Sequence, residues 1–216
     1  MYLKVLMIFF RKIDNKCGIN TYVFARALYL KLVDIANIIF RVIDKYRLFA
    51  FRNNKKNKPI KLHLGCGERH KDGYLNIDWR KTQATDFVCD ITAIPFKNNS
   101  ISVIESYHVI EHLSKDDAIK TLENWYKMLE VGGKLVIECP NFDEAVKEYL
   151  DGNQDRIYNI FGYRRFPGDG HLFGYNYERL AMVLTSIGFS NICNVEPQDY
   201  HIAEEPCLRV EGVKGN

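Results

Sequence analysis

The stretch 60–79 reads IKLHLGCGERHKDGYLNIDW and decides the fold. Residues 60–64 alternate in polarity as a half-buried strand does, and Gly65-Cys66-Gly67 follows directly. Glycines let the chain reverse sharply at the carboxyl end of a strand, with bare amides and without a Cβ that would block a ligand. This order predicts a nucleotide-binding turn in a Rossmann-like sheet, although a single Gly-x-Gly is a weak signal.

Two acidic residues stand at the ends of the next two apolar runs. Asp78 closes the run 74–77, and Asp90 closes the run 86–89 and precedes Ile91. The carboxyl ends of parallel strands meet at one edge of a sheet, so we expect Asp78 to accept hydrogen bonds from two ribose hydroxyls. Asp90 and Ile91 would suit an adenine. Each acid alone is more typical of a surface turn, but the three strand-end signals together favour a ligand site.

Strand and helix patterns alternate through the rest of the chain. Strands are predicted at 101–107, 135–138, 189–195 and 207–210, and helices at 115–130 and 177–187. Ser114 begins a capping box for the first of these helices, and Gly132-Gly133 is expected to end it. Residues 151–175, rich in glycine and aromatic residues, predict an active-site lid. The alternation indicates an α/β fold.

The first 58 residues differ in charge from the rest of the chain. They hold 13 Lys or Arg and three Asp, a net charge of +10, whereas residues 59–216 carry a net charge of −7. We therefore divide the chain into a basic extension at 1–58, ending in the linker 52–58, and a main domain at 59–216.

Residues 21–51 of this extension predict an amphipathic helix. Its polar sector holds Arg26, Lys31, Asp34, Asn37, Arg41, Asp44 and Lys45, and its apolar face holds Phe24, Leu28, Leu32, Ile35, Ile39, Val42, Ile43 and Tyr46. Two interpretations remain open: the apolar face packs on the main domain or on a second copy, or it lies in an anionic membrane surface. Nucleic-acid binding is not expected, because no nucleic-acid-reading motif accompanies the charge.

Composition and cysteine usage exclude several classes of protein. Hydrophobic residues make up 47% of the chain, which excludes disordered and collagen-like proteins. The apolar run 5–10 is too short to span a bilayer and has no cleavage site, so neither export nor a membrane span is expected. Six cysteines stand singly, which predicts reduced thiols in a cytoplasmic protein.

Three segments carry a resemblance to a known family. These are LHLGCGERHKDGYLNIDW (62–79), CDITAIPFKNNSISVIESYHVIEHLS (89–114) and WYKMLEVGGKLVIECPNF (125–142). They resemble the class I S-adenosylmethionine-dependent methyltransferases, in particular a small bacterial branch often associated with surface-polysaccharide assembly. The resemblance implies a doubly wound, mostly parallel seven-stranded Rossmann-like sheet with helices on both faces, and S-adenosyl-L-methionine as the cofactor.

The resemblance also implies which residues bind the cofactor. They are His63, Gly65, Cys66, Gly67, Asp78, Trp79, Asp90, Ile91 and Tyr107. Two positions depart from the family pattern. His63 stands where an acid usually receives the methionyl amino group, and Arg69 replaces a third glycine. The amino-acid end of the cofactor site is therefore less well defined than its nucleoside end, and a nicotinamide enzyme is disfavoured.

Methyl transfer from a sulfonium needs a positioned nucleophile and a group that accepts its proton. The candidates are His108, then His171, then Glu111, all expected at the rim of the site. His108 could instead only position a loop, and His112 is expected to brace its neighbours. No metal ligand is expected, because the acids near strand 101–107 lack the grouping that holds magnesium in related enzymes.

Three functions are compatible with these features. The first is O-methylation of a small molecule, a glycan or a lipid-linked sugar, at the inner face of the cell membrane if the extension is an anchor. The second is a non-catalytic cofactor-binding scaffold recruited by its N-terminal helix to a membrane or a partner. The third is a dinucleotide-dependent oxidoreductase. The acceptor and the oligomeric state stay open.

Overall fold

The computed structural model describes residues 21–54, 59–165 and 168–215. The apolar run 5–10, part of the predicted linker and residues 166 and 167 of the predicted lid lie outside the described residues. The strands are β1 (Ile60–Leu64), β2 (Leu75–Asp78), β3 (Phe87–Val88), β4 (Ile101–Tyr107), β5 (Leu129–Pro140), β6 (Phe189–Val195) and β7 (Cys207–Lys214). The helices are α1 (Thr21–Asn54), α2 (Lys115–Met128), α3 (Phe142–Leu150), α4 (Arg156–Phe161) and α5 (Tyr177–Ile187).

The seven strands form one sheet in the order β3-β2-β1-β4-β5-β7-β6. The pairs from β3 to β5 are parallel, and β7 runs antiparallel to both β5 and β6. This arrangement confirms the predicted doubly wound α/β fold. Because β7 is antiparallel, its first residues lie at the same sheet edge as the carboxyl ends of β1, β4 and β5.

The central strands are short and apolar, and their side chains form the core together with α2. Ser114 caps α2, its hydroxyl accepting a hydrogen bond from the amide of Asp117. The helix buries Leu122, Trp125 and Met128, and the indole of Trp125 donates to the carbonyl of Ile91 at 3.0 Å. The prediction that Gly132-Gly133 ends this helix is wrong, since α2 ends at Met128 and both glycines lie within β5.

The connections between β1 and β2 and between β2 and β3 contain turns and no helix. The outer edge of the sheet at β3 is covered instead by α1. The Asp44 carboxylate accepts a hydrogen bond from the amide of Val88 at 2.8 Å, and Leu48 is buried against the domain. An edge strand with an unpaired amide is a template for aggregation, and α1 protects it.

α1 contacts the main domain through its polar sector. Besides Asp44, Asn37 accepts a hydrogen bond from the amide of Lys81 at 3.0 Å, and Arg41 donates to the carbonyl of Trp79 at 3.1 and 3.2 Å. The interpretation that the apolar face packs on the main domain is therefore wrong. That face is exposed through Leu28, Leu32, Ile35, Ile39, Val42, Ile43 and Tyr46. None of the described helices is long and apolar enough to cross a membrane.

Candidate functional site

The glycine bend follows β1 at the carboxyl edge of the sheet. Gly65 and Gly67 both have positive φ, +70° and +52°, which L side chains rarely adopt. A Cβ on Gly65 would lie 2.1 Å from Cγ2 of Val109, so this glycine is required by packing. A Cβ on Gly67 would meet nothing within 4 Å in the described part of the chain. The space beside Gly67 is therefore open to a ligand.

The prediction that the amides of the bend are bare is wrong. The amides of Gly65 and Cys66 donate to the carbonyl of Ile77 at 2.8 and 3.3 Å, and the amide of Gly67 donates to the Asp78 carboxylate at 2.9 Å. The thiol of Cys66 is turned inward, and burial raises its pKa to about 12. The bend therefore presents to a ligand the open space at Gly67 and the Asp78 carboxylate, but not free amides.

Asp78 lies beside the bend, at the end of β2. One carboxylate oxygen accepts from Gly67, and the other accepts from the amide of Arg80 at 2.8 Å. Each carboxylate oxygen can accept more than one hydrogen bond, so both retain capacity for a ribose hydroxyl. The Asp78 carboxylate and the open space at Gly67 therefore lie side by side at the carboxyl edge of the sheet.

The three other nucleoside-end residues are placed differently from one another. Trp79 is partly exposed, with the guanidinium groups of Arg41 and Arg80 at 5.5 and 5.7 Å from its ring. Asp90 is exposed and caps a short 3-10 turn. One of its carboxylate oxygens accepts hydrogen bonds from the amide and the hydroxyl of Thr92. Ile91 packs in the hydrophobic core.

The amino-acid end is built around a buried network rather than a free acid. Nδ1 of His63 pairs with the side-chain oxygen of Asn76 at 2.9 Å, and burial lowers the pKa of His63, so its ring is neutral. Glu105, its neighbour across the β1–β4 ladder, pairs with Lys71 and accepts hydrogen bonds from the hydroxyls of Tyr74 and Tyr107 at 2.6 and 2.5 Å. Tyr107 is thereby fixed at the rim.

His108 follows β4 with a φ of +50°, an uncommon conformation for a non-glycine residue. Its Nδ1 lies 3.4 Å from Glu111 and 3.3 Å from Glu205, and its Nε2 lies 3.7 Å from the thiol of Cys207. Burial alone would lower the pKa of His108, but these partners raise it to about 11. His108 is therefore an imidazolium at neutral pH.

A second group adjoins this imidazolium and consists of Glu111, His112 and His171. Glu111 and His112 lie on the turn Ile110–His112, and His171 comes from the predicted lid, with its ring 5.0 Å from that of His112. Burial lowers the pKa of His171, so its ring is neutral at pH 7. The structure thus brings all three predicted catalytic residues together. We call Glu111, His112 and His171 the rim triad.

Sequence reasoning missed the contribution of the segment between β6 and β7. Glu205 and His201 both reach His108, whose ring lies 3.8 Å from that of His201. Glu138 positions this segment, because its carboxylate accepts a hydrogen bond from the amide of Asp199 at 2.8 Å. The usable signal was the antiparallel strand 207–210, which brings the acidic residues before it to the catalytic edge.

Comparisons with known proteins agree with this geometry. Residues 71–137 match the family model described as a methyltransferase domain. No curated protein matches the sequence. Among solved structures, one from the complex between the Haloferax volcanii Trm112 methyltransferase activator and a methyltransferase is 13% identical, with a TM-score of 0.50 over 85% of this chain and 93% of that one.

A second similar structure is a S-adenosylmethionine-dependent methyltransferase from Methanosarcina mazei. It is 12% identical, with a TM-score of 0.50 over 77% of this chain and 97% of that one. At such low identity these structures establish the fold alone. The methyltransferase domain matched over 71–137 supports the activity of a S-adenosylmethionine-dependent methyltransferase, with S-adenosyl-L-methionine as its cofactor.

Proposed function

We propose that this methyltransferase transfers its methyl group to a hydroxyl oxygen of a small molecule or of a glycan, including a lipid-linked sugar. The observation that carries the proposal is the rim triad, because two imidazoles and a buried carboxylate suit the activation of a hydroxyl. S-adenosyl-L-methionine, when bound, supplies an activated methyl group and a neutral leaving group. The chain itself has to position the acceptor oxygen in line with the methyl group and the sulfur, and to accept the proton of the acceptor hydroxyl.

The residues divide this work by their charge. Gly67 and Asp78 are proposed to hold the nucleoside end, with Trp79, Asp90 and Ile91 around it. His108 is held as a cation between two carboxylates, so it is a poor proton acceptor and positions the rim instead. Burial lowers the pKa of His171, and its Nδ1 lies 2.8 Å from the carbonyl of Asn159, so Nε2 is the nitrogen available to accept a proton. We therefore place His171 ahead of His108 as the group that faces the hydroxyl.

The first experiment separates cofactor binding from acceptor activation. Wild type, Asp78→Asn and His171→Gln would be titrated with S-adenosylhomocysteine by calorimetry and assayed with a labelled-methyl donor against hydroxylated cell-envelope precursors. Asp78→Asn should weaken binding by tenfold or more, about 1.4 kcal/mol. His171→Gln should bind normally and lose methyl transfer. Lys120→Gln, a change to an exposed residue of α2, is the control.

Two results would contradict this proposal. If His171→Gln retains full transfer, the triad does not act on the acceptor. If methyl groups are found only on nitrogen or carbon atoms of the product, the acceptor class is wrong. The alternative of a non-catalytic scaffold is not favoured by any feature of the site.

The same proposal includes a peripheral location at the inner face of the cell membrane, with residues 1–58 as the anchor and 59–216 as the catalytic domain. The apolar face of α1 is exposed, and its opposite face is already occupied by the main domain. Lys31 and Lys45 are exposed beside it. Each cation near an anionic lipid surface contributes about 1 kcal/mol, and residues 1–58 carry a net charge of +10.

Sedimentation with vesicles tests the anchor. We expect binding to vesicles containing phosphatidylglycerol, weaker binding in high salt, and loss of binding in the triple variant Ile35→Ser, Ile39→Ser, Val42→Ser. The control Leu150→Ser, Met182→Ser removes exposed apolar side chains elsewhere and should bind normally. If the wild-type protein does not bind vesicles but forms dimers, and the triple variant is monomeric, α1 binds a second copy of the chain instead.

A further inference from the structure

We propose that the rim triad, formed by Glu111, His112 and His171, binds one divalent transition-metal ion. One carboxylate oxygen and one nitrogen from each imidazole lie within 4.8 Å of one another. A shared ion at about 2.0–2.2 Å from each ligand would draw these three atoms closer together. This proposal departs from the expectation drawn from the sequence, which found no metal-binding pattern.

The first supporting observation is the state of Glu111. Its side chain is 2% exposed, and within the described residues neither carboxylate oxygen receives a hydrogen bond. His108 is 3.4 Å away, within ion-pair distance but without hydrogen-bond geometry. Burying a carboxylate without donors is costly, so such a group is expected to have a ligand. An ion at the triad would satisfy the oxygen that His108 does not reach.

The second observation is the orientation of the two imidazoles. Nδ1 of His112 lies 3.2 Å from the carbonyl of Gly170, and Nδ1 of His171 lies 2.8 Å from the carbonyl of Asn159. A carbonyl oxygen only accepts, so each Nδ1 carries a proton, and in the neutral form of each ring the lone pair is on Nε2. Histidines that bind metals typically donate their other N–H to a carbonyl or carboxylate in this way.

The backbone holds the two halves of the triad together. The amide of Leu172 donates to the carbonyl of Glu111 at 2.7 Å, and the amide of His171 donates to the carbonyl of Phe161 at 3.0 Å. Gly162, at the start of this loop, has a φ of +75°, and a Cβ there would lie 2.4 Å from the carbonyl oxygen of Asp169. The site is therefore built by a closely packed loop and not by surface side chains.

The donor set indicates the class of ion. Imidazole nitrogens suit Zn²⁺, Fe²⁺, Co²⁺ and Ni²⁺, whereas Mg²⁺ and Ca²⁺ prefer oxygen ligands alone. Three protein ligands leave positions open for an exogenous oxygen. If the proposed function is correct, the acceptor hydroxyl would occupy one of them, and the ion would lower its pKa. His171 would then be a ligand and not the proton acceptor, so the hydroxyl proton would pass to solvent water. Metal binding itself does not depend on that function.

Two other groups of possible ligands lie nearby and share His108, one with Glu205 and Cys207 and one with Asp199 and His201. The His108 ring already faces carboxylates at Nδ1 and a thiol at Nε2. Both ring nitrogens of His108 therefore already face other groups, so these two groups are less open to an ion than the triad. This difference allows a sharp test.

The test uses full-length protein without a histidine tag, stripped of metal with a chelator, and Co²⁺ as the probe. We expect about one equivalent of Co²⁺ to bind, with visible d–d absorption from nitrogen ligands. Glu111→Gln, His112→Gln and His171→Gln should each weaken binding by about tenfold or more. His70→Gln and Cys207→Ser should bind as wild type does. Zn²⁺ should displace Co²⁺ and abolish the absorption.

Several outcomes would overturn the proposal. It is wrong if stripped wild type binds neither Co²⁺ nor Zn²⁺ at micromolar concentrations, or if the triad variants bind normally. It is also wrong if Cys207→Ser abolishes binding while Glu111→Gln preserves it, since the ion would then sit on His108. Circular dichroism of each variant confirms folding. S-adenosylhomocysteine titration of metal-free protein shows separately whether the cofactor site, and with it the proposed function, stands.

Discussion

Helices α1 and α2 are both amphipathic, but they face the domain in opposite ways. α2 buries Leu122, Trp125 and Met128 in the core and exposes its charged side chains. α1 places Asn37 and Asp44 against the domain and leaves its apolar face outside. A hydrophobic pattern therefore identifies the apolar face of a helix, while the neighbouring surface decides whether that face is the buried one.

The physical reason lies in the surface that each helix covers. α2 packs against the apolar side chains of the core, so it contributes transfer free energy. α1 covers the edge of β3, where backbone amides and carbonyls need polar partners, while Leu48 and Phe51 nearer its end pack against the core. Such docking leaves the hydrophobic surface of α1 for another contact.

The largest expected effect is on the side of α2. Trp125→Ala removes a buried indole and its hydrogen bond to Ile91, and should lower the free energy of unfolding by about 4 kcal/mol. Tyr46→Ala, in the exposed face of α1, should change it by less than about 0.5 kcal/mol. Urea denaturation followed by circular dichroism measures both. Equal losses would mean that the two helices are buried alike.

Leu48→Ala sharpens the comparison within α1. Leu48 is the buried apolar residue of the docking side, so we expect a loss of about 3 kcal/mol. Leu32→Ala on the opposite side should be nearly neutral. A neutral Leu48→Ala would show that α1 is not attached to the domain in solution.

Asp44→Ala should cost about 2 kcal/mol, because the amide of Val88 would lose its acceptor in a buried place. Asp44→Asn keeps an oxygen at this position and should recover part of the loss. The control is Asp34→Ala, an exposed acid on the same helix. Thermal denaturation of the three variants measures these losses. If Asp44→Ala and Asp34→Ala unfold at the same midpoint, Asp44 does not stabilise the edge of β3.

The smallest effect is predicted for Ile39→Ser. It should leave the free energy of unfolding within about 0.5 kcal/mol of the wild-type value. Its side chain is half exposed and faces away from the domain. The measurement is the unfolding midpoint at several protein concentrations. A large, concentration-dependent loss of stability would reveal that this face is buried in a dimer.

Most of the fold could be predicted from the sequence because its elements carry local signals. The bounds of β4 and α5 match the periodicity and the helix stop at Gly188. The end of α2 could not be predicted, because Gly132 is typical both of a helix end and of an irregular strand. The side on which α1 docks depends on the unpaired edge of β3, which no pattern within 21–51 encodes.

The residues of the candidate site that lie at strand ends could be predicted from the sequence, whereas those in the loop between β6 and β7 could not. Asp78 and His108 follow strands and were found by position alone. The partners of His108 were not, since Glu205 and His201 reach it only through the reversal of β7. The ring orientations that leave Nε2 of His112 and His171 available depend on the carbonyls of Gly170 and Asn159, and sequence carries no trace of those distances.

The hydrogen bonds of Arg41 and Asn37 end on residues 79 and 81, on either side of Arg80, whose own amide binds Asp78. The long helix is therefore hydrogen-bonded to the turn whose backbone also holds the Asp78 carboxylate. If α1 shifts when it binds a surface, we expect this turn to shift with it. Cofactor affinity and attachment of the arm are thus expected to vary together.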